Sequence, residues 1–319
     1  MQLRFPDVAI AQPHYESVYC ALVHPAEPEA LWIRTTVKKR PGHEPTGALW
    51  VTWFSPAGVR ATKVDDLPVS PGGLGIDCGP ASQGPAGSRG SVESEGLSAQ
   101  WDLTFTPLVR SLEHLRSQIL YRAPLPRTKA TSPVPDLGVG GTLVVDDKPV
   151  DLTGWTGMLG HNWGTEHAAR WIWLRACGLG DGGSGWLDAV LGRVRMGPVL
   201  APWTAFGALE FDGTRHNLGG LLTRGTSVVV SERAADIGLT GPGVSVSVRA
   251  EVSPARTVGW EYADPGGHRH EVVNCSVADI SLVVNRGGSR VTLHPSRRGV
   301  LEIGGDRRAF DVPLQPFSD

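Results

Sequence analysis

The chain has 319 residues, 40% of them hydrophobic and 19% charged, which is long and apolar enough to bury a sizeable core and excludes a disordered tail. A formal net charge of -2 leaves no basic footprint for nucleic acid or an anionic membrane surface. The 41 glycines and 25 prolines are spread along the whole chain, so long helices have few windows and short strands joined by turns are favoured.

The first twenty residues lack a long apolar run, so no signal peptide is expected. No stretch approaches the roughly 18 apolar residues of a membrane span, and the expected compartment is the cytoplasm. Residues 49–54 read as a strand ended by the turn Ser55-Pro56-Ala57-Gly58. Residues 66–96, rich in Gly, Pro and Ser, look loop-like, with room for short strands. Leu108, Leu112, Leu115 and Ile119 fall at helical spacing after Thr106-Pro107, which predicts a helix there. Turn chemistry predicts three hairpins, at Asp146-Asp147, at Asp212-Gly213 and at 285–289. Residues 244–252 alternate apolar and polar throughout, as a strand with one face on a core and one in water does. These elements together predict an all-β protein of meandering antiparallel strands.

Cys20, Cys78, Cys177 and Cys275 are far apart and form no paired motif, so free buried thiols are expected and no zinc site or disulfide framework. His161, Glu166 and His167 have neither the helical spacing of a zinc protease motif nor its inverse. His268 and His270 lie beside a Pro-Gly-Gly turn, where exposure to solvent is expected. No metal and no cofactor are predicted.

Residues 154–174 concentrate Trp155, Trp163, Trp171 and Trp173 with His161, Glu166 and His167. On extended chain, Trp171 and Trp173 share one face, and His161 and Trp163 also share one. Such a segment suits either a Trp-rich core or an apolar cavity with a few polar groups, the usual make-up of a small-molecule pocket.

Several ordered features across 120–192 resemble the family of AttH-like proteins and carotenoid 1,2-hydratases (hydroxyneurosporene synthases). They are Tyr121-Arg122, the hairpin at 141–154, the signature His161-Asn162-Trp163-Gly164, the Trp171–Leu174 pattern and Gly185-Trp186-Leu187-Asp188-Ala189. Trp101–Phe105 upstream is similar to the family's first-domain strand. The resemblance implies two lipocalin-like antiparallel β-barrels packed together, expected over residues 1–165 and 166–319. The signature should lie near their junction, beside a cavity for a polyene or terpenoid-like ligand. It implies catalytic roles for His161 and Asp188, with Glu166 as a further nearby carboxylate. The pocket is expected to draw on Trp163, Trp171, Trp173, Trp155, Trp186, Asn162 and His167. One departure stands out: where the family carries Asp before the signature His, this chain has Gly160.

Hydration, cyclisation and isomerisation of an isoprenoid alkene share one hard step, protonation of C=C to a tertiary carbocation. That step needs a positioned acid, and Trp faces to stabilise the cation. The expected function is therefore a cofactor-independent hydratase, cyclase or isomerase acting on a hydrophobic small molecule. The alternative is a lipocalin-like carrier or sensor whose pocket does no chemistry.

Overall fold

Strand-forming runs between turn signals assemble into two large antiparallel sheets in the computed structural model, which describes residues 1–180, 182–295, 298–305 and 310–317. The first sheet has 13 strands, taken from the chain as far as Gly164, and the second has 11 strands and starts at Arg170. One of the two curls into a nearly closed barrel and the other into a half-barrel. Among the described residues, helix is confined to Gln118–Arg122 and two single 3-10 turns. The chain is all-β.

The three predicted hairpins are present. Asp146 and Asp147 take positive φ of 46° and 60°, and Asp212 and Gly213 take 51° and 66°, which are the values of tight hairpin turns whose twist matches the strands they join. The third turns at Gly287 and Gly288. Val244–Glu251 alternates buried and less buried side chains along its length.

One expectation needs correction. The predicted helix at 108–119 is absent: Leu112 and Glu113 pair with Thr131 and Ser132 as a short strand. Leu112 and Leu115 are buried while Leu108 and Ile119 are exposed, so tertiary pairing overrides the helical spacing. Within the loop-like stretch 66–96, four short strands extend the first sheet to its far edge.

The strands His14–Val23 and Ala30–Lys39 are buried along nearly their whole length because both faces are covered. Val18, Cys20, Leu22, Leu31 and Ile33 point into the first barrel. Tyr19, Ala21, Val23 and Trp32 point outward against the second sheet. Apolar residues at successive positions, rather than alternate ones, are what a doubly covered strand requires. Trp260 of the second sheet meets Trp50 edge-on with ring centroids 5.0 Å apart and lies 6.3 Å from Trp32. Arg175, also from the second sheet, crosses to the first and donates from Nη2 to the Gly157 carbonyl at 2.7 Å. All four cysteines are free and buried.

Candidate functional site

A cavity of about 370 Å³ lies where the sheets meet. The strands His14–Val23, Ala30–Lys39 and Thr156–Gly164 contribute Tyr19, Trp32, Arg34 and Asn162 from one side. Arg170–Leu179 contributes Trp171 and Trp173 from the other, with Tyr262 and Glu302 from neighbouring strands. The wall is mostly apolar, as in small-molecule sites generally.

Two of the indole N–H groups in this wall are satisfied by carboxylates. Trp171 Nε1 donates to Glu302 Oε1 at 3.0 Å, and Trp173 Nε1 donates to Asp188 Oδ1 at 3.1 Å. Glu302 also accepts from Tyr262 Oη and Asn274 Nδ2, each at 3.2 Å. Asp188 accepts a short hydrogen bond from Ser132 and lies 3.6 Å from Nε2 of His114, another wall residue. Burial acts to raise the Asp188 pKa, but His114, Ser132 and Arg175 outweigh it and hold the carboxyl below its ordinary range. A carboxyl held so low is ionised at neutral pH, so Asp188 does not offer the protonated acid expected from the sequence.

His167 follows the signature strand and lines the cavity. Its ring Nδ1 and its backbone N–H both meet Oδ1 of Asp264, at 2.7 and 2.8 Å. Asp264 Oδ2 accepts from His270 Nε2 at 2.9 Å. Against an ionised carboxylate Nδ1 carries the proton, which leaves Nε2 of His167 buried and without a partner. Burial keeps the ring's pKa below the usual histidine value, against the opposing pull of Asp264. Tyr15 and Trp171 sandwich the ring at centroid distances of 4.2 and 5.2 Å. His268 is exposed as expected, but His270 is buried, because it faces Asp264 from the start of the strand Arg269–Arg286.

The remaining predicted residues lie elsewhere. Residue alternation turns His161 and Trp163 away from Asn162 and out of the cavity wall. His161 Nε2 donates to Glu16 Oε1 at 2.6 Å, and Glu16 also accepts the backbone N–H groups of Arg4 and Phe5. Arg4 lies over the Trp163 ring, so this network fastens the N-terminal segment to the first barrel. Trp155 stacks on Trp53 in the core of that barrel. Trp186 is fully buried in the second sheet's core. Glu166 is partly exposed and pairs with Arg127 at 2.6 Å, outside the cavity. The structure therefore gathers Asn162, His167, Trp171 and Trp173, with Asp188 directly behind them, and separates them from His161, Trp163, Trp155, Trp186 and Glu166.

Among the described residues, His167, Asp264 and His270 form the one group whose donor atoms, within 4.8 Å of one another, could hold a metal ion. Ligands on a tetrahedral ion at about 2.0–2.1 Å stand roughly 3.3 Å apart. The contacts of 2.7 and 2.9 Å here are shorter and fit charge-assisted hydrogen bonds.

No family model matches the chain. An uncharacterized Mycobacterium tuberculosis protein is 25% identical over 274 residues, covering 83% of this chain and 79% of the relative. An AttH-like protein of Nitrosomonas europaea superposes with a TM-score of 0.54 at 16% identity, over 96% of this chain and 97% of that one. CghA does so with a TM-score of 0.57 at 13% identity, over 96% and 90%. Kievitone hydratase from Nectria haematococca gives a TM-score of 0.50 at 12% identity, over 90% and 88%. The fold is that of the AttH-like two-barrel proteins.

Against the AttH-like signature, Gly160 has a steric cause. It pairs with Tyr19 across the strands, and a Cβ at position 160 would lie 2.3 Å from Tyr19 Cζ and 2.6 Å from its hydroxyl. The tyrosine ring occupies the space that a side chain at 160 would need, and it packs edge-on against Trp173 at 5.0 Å. Burial keeps the Tyr19 phenol well above its ordinary pKa, so a neutral hydroxyl stands in the cavity wall on the face where the AttH-like Asp would project. Sequence reasoning missed Tyr19, Arg34, His114, Asp264 and Glu302. The signals available were an Arg inside the apolar run 30–34 and an Asp opening the turn at 264–267.

Proposed function

We propose that the chain is a cofactor-independent enzyme of the hydratase or cyclase type, acting on an apolar alkene-bearing small molecule in the cavity between the sheets. The observation that carries this reading is His167: a buried imidazole, oriented by Asp264, whose Nε2 has no partner and whose ring lines an apolar cavity. That is the arrangement of a general base with its orienting carboxylate. A second imidazole, His114, lies beside ionised Asp188 in the same wall.

In this reading His114 delivers a proton to the C=C bond, with Asp188 as counter-ion for the proton it carries. The resulting tertiary cation rests against the faces of Trp171 and Trp173, each contributing about 1–2 kcal/mol in a desolvated setting. His167 Nε2 then takes a proton, either from a water adding to the cation or from the carbon beside it. The first outcome is hydration, and the second is cyclisation or isomerisation. The substrate-binding role read for Asn162 from the sequence is retained as a cavity-wall contact. Kievitone hydratase, which shares the fold, is by its name a hydratase.

The test is incubation with isoprenoid alkenes in deuterated water, followed by mass analysis of the products. The reading expects one carbon-bound deuterium per turnover, lost in His167→Gln while the ligand still binds. Binding with no deuterium incorporation in the wild-type protein would sink the enzyme reading and leave a carrier.

A further inference from the structure

Arg34 is 5% exposed and reaches the cavity wall from the strand Ala30–Lys39. Its Nε donates to Ser17 Oγ at 2.8 Å. Its guanidinium lies over the rings of Tyr262, 3.9 Å from the centroid, and Trp50, at 5.4 Å. Those faces favour a cation, and Nη1 is buried with no hydrogen-bond partner. An arginine cannot shed its charge to escape burial, so an unpaired one is a costly arrangement unless something else completes it.

The nearby carboxylates do not complete it. Both oxygens of Glu302 are taken, by Trp171, Tyr262 and Asn274. Both oxygens of Asp264 are taken, by His167 and His270. Among the described residues no acid forms an ion pair with Arg34, whereas twelve other arginine or histidine side chains there find carboxylates. A planar guanidinium with a free nitrogen beside an apolar cavity matches a planar oxyanion.

We propose that Arg34 is the anion-binding point of the cavity, and that its ligand is an apolar molecule ending in a carboxylate. This deepens the preceding reading and rests on the same cavity. The carboxylate meets the free edge of Arg34, and the apolar body lies along Trp171, Trp173, Val190, Leu191 and Phe206. The site then fixes which end of the molecule faces which wall, and so which double bond is presented to the histidines.

The experiment is calorimetric titration at neutral pH with farnesoate, methyl farnesoate and farnesol, which share one isoprenoid body and differ at the head. Wild-type protein should bind the acid about tenfold or more tighter than the ester or the alcohol. Arg34→Met should remove that preference while keeping the affinity for the ester, and Arg34→Lys, with its charge but no fork, should fall between. Equal affinity for acid and ester in the wild-type protein overturns the proposal, and so does a preference that survives Arg34→Met. Should Arg34→Met fail to fold, the wild-type comparison decides alone. Ester and acid binding equally well would leave the cavity reading standing, whereas binding of none of the three would end both.

Discussion

His167 and Asp264, 97 residues apart in the chain, are joined twice through a single oxygen: Oδ1 of the aspartate receives both the backbone N–H and the ring Nδ1 of the histidine. One contact fixes the chain and the other fixes the tautomer. The consequence is a ring that cannot turn without breaking a charge-assisted bond, with its second nitrogen held in the cavity wall.

This pairing predicts a tautomer and a pH limb. Nitrogen NMR at neutral pH should show His167 with its proton on Nδ1. Its pKa is depressed by burial, so the neutral, base-competent ring is fully present above the ordinary value of 6.5 and is lost only as the pH falls through the lower folded value. His167 should therefore give the pH profile an acid limb, turnover declining as the pH falls through that value. Asp264→Asn should lower kcat by roughly 10²-fold or more with little change in ligand affinity. An Nε2–H tautomer in the wild-type spectrum would remove the base from the scheme.

Glu16 carries a prediction about stability rather than activity. Burial raises its pKa, but hydrogen bonds from His14, His161 and the Phe5 N–H prevail and bring it from 4.5 to about 2. The folded value lies below the unfolded one, so the contribution is complete above 4.5 and disappears as the pH falls towards 2. Its size is about 3 kcal/mol. Urea denaturation of Glu16→Gln should show a loss of that order at neutral pH. The gap from the wild-type protein should close between those two pH values. A constant gap across the range would show that the carboxylate's charge is not what matters.

Trp173 supports the wall and also satisfies Asp188. Trp173→Phe keeps an aromatic face but leaves the Asp188 Oδ1 short of a donor, at about 1–3 kcal/mol. The expected result is a lower melting temperature together with weaker ligand binding. Unchanged values for both would mean that the indole N–H contributes nothing.

Metal removal should be without effect. The short bonds from both imidazoles to Asp264 leave no ion-sized gap in that cluster. Prolonged dialysis against a chelator should leave melting temperature and turnover unchanged. Stoichiometric zinc or iron in protein purified without added metal would contradict this.

The all-β fold was legible because its evidence is local. Hairpin turns at Asp146-Asp147 and Asp212-Gly213 declare themselves by residue type, and 244–252 by its alternation. The helical spacing of Leu108, Leu112, Leu115 and Ile119 misled because a strand pairing with Thr131 and Ser132, distant in sequence, decides that segment.

The site was half legible for a related reason. Trp171 and Trp173 can be placed together from strand geometry alone. Whether His161 or Asn162 faces the cavity cannot, because both faces of Thr156–Gly164 are covered and apolar patterning does not distinguish barrel interior from junction. Asp264 and Arg34 are brought to the site by the packing of one sheet on the other, and their local cues, an Arg in an apolar run and an Asp opening a turn, do not say what they will meet.

The central claim is that chemistry belongs to His167 in the cavity and not to the signature His161 behind it. Single-turnover measurements on His167→Gln and His161→Gln, with an alkene ligand that the wild-type protein converts, test it most directly. The account predicts that His167→Gln binds the ligand and does not convert it, while His161→Gln melts at a lower temperature and still converts it at a permissive one. Conversion retained in His167→Gln and abolished in a stably folded His161→Gln would contradict the account.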